Sequence, residues 1–121
     1  MDQSTDDRSS SHRNEVVLVG RLAAPAADKQ LPSGDVLTSF RVIVDRVPRR
    51  GAPAGGKQAT VDAIECVAWT AATRRATSSW RQHDLVEVHG TLHRRFWRTG
   101  AAVQSVCEVE VTTARRVQKA A

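Results

Sequence analysis

The chain has 121 residues, a formal net charge of +5 and only five aromatic residues, three Trp and two Phe. That length fits one domain with its own core, so neither a disulfide nor a metal is needed to hold it together. No apolar stretch is long enough to span a membrane, Met1-Asp2-Gln3 begins no signal peptide and there is no CxxC pair; the expected setting is the cytoplasm, at the nucleoid, with Cys66 and Cys107 as free thiols.

Residues 1–14 carry Asp2, Asp6, Asp7 and two arginines with almost no apolar content, and are expected to be disordered. The rest of the chain holds 16 basic and 10 acidic residues, a balance that suits a polyanionic partner or an anionic surface. Order is expected from Glu15, where Val16 to Leu22 reads as a mostly buried strand and Gly20 marks a bulge or bend, as where a small barrel curves. Ala23 to Gln30 reads as a connection, and Leu31-Pro32-Ser33-Gly34-Asp35 as a tight turn.

The second strand, Val36 to Val47, puts Phe40, Val42 and Val44 on one face. Pro48 to Lys57, rich in Pro, Gly and Arg, reads as a basic loop. Thr60 to Trp69 is the third strand, with Val61, Ala63, Val67 and Trp69 on the side expected to be buried and Ile64, Cys66 and Ala68 on the other. Glu65 shares the parity of Val67, which calls for a solvated end or a bulge. Thr70 to Arg81 brings alanines and Trp80 at helical spacing, with Thr70 as N-cap. The fourth strand runs from Leu85 to Arg98, Thr99-Gly100 turns, and Ala102 to Thr112 returns as the fifth. The folded domain is thus expected over 15–113, followed by a frayed basic tail at 114–121 in which Val117 can pack. Five strands with one short helix between the third and fourth is the order of an all-β, five-stranded OB-fold Greek-key barrel.

Within the fourth strand, Gly90-Thr91-Leu92-His93-Arg94-Arg95-Phe96-Trp97-Arg98 sets two aromatics among arginines. Alternation puts His93, Arg95 and Trp97 opposite the core-facing Val86, Val88, Gly90 and Leu92. A cation beside a flat ring outside a core can track phosphates and stack bases; a strand end with a packed Trp and solvated arginines has the same pattern. His89 and His93 would converge on a metal ion only in a helix. On a strand they lie about 13 Å apart, at about 3.3 Å per residue, and no metal site is expected.

With these elements placed, the chain resembles the bacterial single-stranded DNA-binding proteins in a short form. The likeness is carried by Asn14-Glu15-Val16-Val17-Leu18-Val19-Gly20-Arg21-Leu22, by Pro32-Ser33-Gly34 with Phe40-Arg41-Val42, by Glu65-Cys66-Val67-Ala68-Trp69, and by Asp84 to Leu92 ending in Arg95-Phe96-Trp97. The resemblance implies a homotetramer of OB-folds (a dimer is the alternative) with single-stranded DNA wrapped outside, bases on aromatics, phosphates on Lys and Arg, and no catalysis or cofactor. It puts Trp97 at a stacking position and Arg95 at a phosphate contact. Three departures stand out. Val47-Pro48 occupy a stretch where an aromatic is common, Ile64 stands where many members carry one, and the chain ends in basic Arg115 to Ala121 instead of an acidic tip that recruits repair enzymes.

The candidate contacts for single-stranded DNA are therefore Trp97, Arg95, Phe96, Arg98, Arg46, Arg49, Arg50, Lys57, Ile64 and Arg21. Phe96 shares the parity of Leu92 and could pack beneath the hairpin; Arg21 could pair with a carboxylate. Trp69 and Trp80 are read as core residues. Loop cations standing in for missing rings predict steep salt dependence. The expected function is sequence-nonspecific binding and protection of single strands, accessory to replication, recombination or repair. The alternative is a protein-interaction OB-fold subunit with weak or lost DNA binding, and RNA is a variant of the first reading. No G-x-S-x-G elbow, phosphate-binding loop or acid–base pair supports an enzyme.

Overall fold

Alternating apolar side chains in five segments produce strands that can bury one face, and the computed structural model, which describes residues 11–47, 51 and 60–121, shows them closing on each other. The elements are β1 (Val16–Leu22), β2 (Ala27–Gln30), β3 (Val36–Asp45), β4 (Val61–Ala68), α1 (Ala71–Thr77), β5 (Leu85–Thr99) and β6 (Ala102–Gln118). The order β1-β5-β6-β4-β3 is closed by pairing of β3 back to β1, and β2 hangs on the free edge of β3. Every pairing is antiparallel except that of β4 with β6. This is the expected five-stranded barrel. Its interior holds Leu22, Phe40, Val42, Cys66, Ala68, Trp80, Val86, Val88, Val109 and Val111, at about 1.5–3 kcal/mol for each large apolar side chain buried.

Two glycines let single strands serve two sheets. A Cβ on Gly20 would stand 2.2 Å from the Ile43 carbonyl oxygen, and one on Gly90 would stand 2.1 Å from that of Glu110. At Gly20 the β1 strand passes from β5 to β3; at Gly90 the β5–β6 register shifts. Any side chain at either place would push the strands apart.

The helix caps one end of the barrel and is shorter than its alanine spacing suggests. The Thr70 hydroxyl accepts from the Thr73 amide at 3.1 Å, a standard N-cap. The buried face is Thr73 and Thr77, whose hydroxyls donate to the Thr70 and Arg74 carbonyls, while Ala71, Ala72 and Ala76 are exposed. Trp80 lies beyond the helix and meets Phe40 edge-on, with ring centroids 5.3 Å apart.

Asn14 and the residues after Ala114 are more ordered than composition suggests. Asn14, at the end of the segment expected to be disordered, trades two hydrogen bonds of 2.8 Å with the Leu92 backbone and so extends the β1–β5 ladder by a side chain; residues 1–10 of that segment lie outside the described residues. The tail expected to fray from Ala114 is instead strand, because β6 continues to Gln118 along the first half of β5. Arg115 pairs with Glu87 at 3.0 Å. The Asp84 carboxylate, 1% exposed, accepts from the Arg81 amide at 2.7 Å, the Ala120 amide at 2.8 Å and Arg116 Nη1 at 3.4 Å. Those bonds, Arg81's first, hold Asp84 below the usual carboxylate range. No helix among the described residues is long and apolar enough to cross a membrane.

Candidate nucleic-acid interface

The β3–β4 register decides which side of β4 faces out. Thr38, Phe40 and Val42 lie opposite Ala68, Cys66 and Ile64, so these six side chains share the barrel interior. The expected parity of this strand is therefore reversed. Ile64, expected on the outer face, packs against the core and is not in the trough lining, and burial pushes the Cys66 thiol up to about 12. The outer face carries Glu65 and Val67, and Trp69, expected inside, is 39% exposed.

On that outer face a trough of about 310 Å³ crosses β3, β4, β6 and β5. Leu37, Val67 and Val106 line its apolar part, Lys29 and Leu31 come from the β2 side, and Trp69 and Trp97 both border it. The parallel register of Cys66 with Val109 sets Glu65 beside Glu108, and Glu108 faces His93 on β5. Trp69 follows Glu65 by four residues and Trp97 follows His93 by four on a strand that runs the other way. The two indoles thus reach the trough from opposite directions along the strands, with both carboxylates in its lining.

Charge is laid across the trough in pairs. Arg41 Nε donates to Glu65 Oε1 at 2.9 Å and Arg95 Nε to Glu108 Oε1 at 3.1 Å. The Arg95 guanidinium also lies over the Trp97 ring, 5.1 Å from its centroid, a contact contributing about 0.5–1 kcal/mol at an exposed site. Glu108 thereby holds a cation flat against a ring that is itself 41% exposed.

Of the expected contacts, only Arg95 and Trp97 meet here. Phe96 and Arg98 point from the other face of the β5–β6 arm, where Arg94 stacks on Phe96 at 5.8 Å. Phe96 is 61% exposed instead of packed beneath the hairpin, because the arm projects past the barrel and has no core under it. Arg46 is tied to both oxygens of Asp62, which raises the arginine and lowers the carboxylate. Arg21 is exposed where β1 passes between β5 and β3, outside the trough lining. Arg49, Arg50 and Lys57 lie outside the described residues.

The residues missed were Trp69, Glu65, Leu37 and Lys29. For Trp69 the strand carries only half a signal: Glu65 on the same parity points to solvent, but Asp62 sits on the Ile64-Cys66-Ala68 face, so the residues of β4 alone do not choose between the two. Among the described residues no group of three His, Cys, Asp or Glu could hold a metal.

The model of the Single-strand binding protein family matches residues 13–119. A Single-stranded DNA-binding protein of Thermotoga maritima is 33% identical over 86 residues, covering 71% of this chain and 60% of that protein, so the chain spans about three fifths of its relative's length. The solved Plasmodium falciparum SSB complex with ssDNA superposes with a TM-score of 0.73 at 19% identity, covering 88% of this chain and 97% of the other. That likeness establishes the shared fold.

Proposed function

The chain belongs to the single-strand binding protein family, and from that membership and the trough we propose that it binds and protects single-stranded DNA without regard to sequence, by physical contact and with no chemical step. The observation that carries this reading is a pair of indoles on one trough, with Arg95 stacked on Trp97 and Lys29 on the rim. Bases stack on the rings, at about 1–3 kcal/mol per base, and the rim cations hold phosphates. Phe96 and Arg98, with Arg94, offer a lesser platform on the reverse face. Arg49, Arg50 and Lys57, outside the described residues, add phosphate contacts, while Arg46 contributes only by leaving Asp62. The role is accessory to replication, recombination or repair, in the cytoplasm.

Self-association as a tetramer completes the reading. The outer face of β1 exposes Val17 and Val19 beside the paired His89 and Glu87 of β5, a mixed apolar and polar surface that another copy of the chain can cover. A molar mass in solution tests it. For binding, the test is tryptophan fluorescence titrated with oligothymidylate and with duplex at low salt. Strong quenching by the single strand alone is expected; no quenching overturns the proposal and leaves the protein-interaction reading.

A further inference from the structure

The trough holds two carboxylates, Glu65 and Glu108, where a polyanion is to lie. By charge alone each should oppose a phosphate. Burial separates them: the Glu108 side chain is 9% exposed and that of Glu65 29%. A carboxylate as deep as Glu108 needs a partner to stay charged. Arg95 supplies it, from Nε to Oε1 at 3.1 Å, and the same guanidinium lies 5.1 Å from the Trp97 ring centroid. Nε is one of several N–H donors on that group, so the Nη edge keeps the donors that suit a phosphate. Glu65 pairs with Arg41 at 2.9 Å, but among the described residues only Arg94 and Arg95 are stacked on rings.

We propose that Glu108 is a positioning residue for strand binding: its grip on Nε keeps Arg95 over one face of Trp97, so that a base stacks on the other face while the Nη edge takes a phosphate. This role rests on the single-strand reading above and needs no preference among bases, since every base has a face to stack. An arginine reaching from a strand into solvent loses much rotamer freedom when it grips a phosphate. One already tied at Nε and laid over a ring loses less, which is the advantage of a site organised before its ligand arrives. Because Arg95 answers its charge at close range, Glu108 repels the strand little, and positioning outweighs repulsion. At Glu65 there is no ring to hold a cation against, and repulsion is what remains. The two carboxylates of one trough therefore act with opposite sign.

The test is a tryptophan quenching titration of the full chain with oligothymidylate at one fixed salt concentration. Glu108→Gln keeps the size of the side chain and an acceptor for Nε but not the charge. It should weaken binding about fivefold, the difference between a charge-assisted and a neutral hydrogen bond. Glu65→Gln should tighten binding. The same Glu108→Gln change is then made without the arginine. In an Arg95→Ala background it should tighten binding, because only the repulsion of phosphates is left to remove. Should the alanine variant fail to fold, Arg95→Lys is the second background: it keeps a charge but has no planar group to lay on the ring, and there the loss should vanish. This inference alone is overturned if Glu108→Gln binds as tightly as the unaltered protein, or if it weakens binding equally with and without Arg95, as a general loss of structure would. A matching loss in Glu65→Gln overturns it as well. Failure of the unaltered protein to bind any strand overturns the single-strand reading and this one together.

Discussion

The β5–β6 hairpin contains two regions built from the same strands to opposite ends. In its first half, Val86 and Val88 of β5 and Val109 and Val111 of β6 are buried in the barrel. Past Gly90 the same face of β5 carries Leu92, Arg94 and Phe96, and Leu92, Phe96 and Val103 of β6 are exposed. Large apolar residues at two-residue spacing occur in both halves, so their presence does not tell core from surface. What separates them is company: β1, β4 and β3 close around the first half, while the last pairing with β1 is Val16 with Gly90. Period-two alternation says which residues share a face and is silent on whether anything covers it. The same hairpin thus supplies core at its base and exposed rings at its tip.

The sharpest way to break this comparison is at the junction. Gly90→Ala brings a methyl to 2.1 Å from a backbone oxygen and should cost about 1–3 kcal/mol or more of stability, read as a lower urea midpoint. Next in size is the ring at the tip. Trp97→Ala should weaken oligothymidylate binding by about 1–3 kcal/mol, or about 5- to 150-fold, while the urea midpoint moves by no more than a surface change does, about 0.5 kcal/mol. A large stability loss there would mean that the arm is core after all. Arg95→Ala should act on the same affinity with a different signature, lowering the slope of log affinity against log salt by about 1.

Much of the fold was legible because it rests on local chemistry. The five strands, the Thr70 cap and the bend at Gly20 follow from alternation, capping and the geometry of closure. The parity of β4 was not legible from its own residues, since both faces mix apolar and acidic members: Val61, Ala63, Glu65 and Val67 against Asp62, Ile64, Cys66 and Ala68. Only pairing with Phe40 and Val42 across the sheet settles it, a contact more than twenty residues away in sequence. Reversing that one strand moves Ile64 inward and Trp69 and Glu65 outward, so the β4 side of the trough was hidden by one register. The tail was missed for a similar reason. Arg115 and Arg116 read as solvated charge until Glu87 and the buried Asp84 are brought opposite them.

That last contact gives a pH test whose sign is fixed by its donors. The Asp84 carboxyl is held below the usual carboxylate range by the Arg81 amide first, then by the Ala120 amide and Arg116. In the unfolded chain it titrates near the ordinary aspartate value of about 3.9. A depressed folded-state pKa contributes stability that is fully present above the unfolded value and is lost as pH falls through the folded one. Melting temperatures of the wild type and Asp84→Asn measured downward from about pH 5 should therefore differ most at the top and converge at acid pH, once the wild-type carboxyl has taken its proton. The loss should appear at the barrel base, where β6 ends against Asp84, and leave the arm unchanged. Amide exchange should quicken at Arg116 to Ala120 before it does at Val103 to Val106. A gap between the two proteins that stays constant across the acid range would mean that the carboxylate's charge plays no part in holding the end of β6.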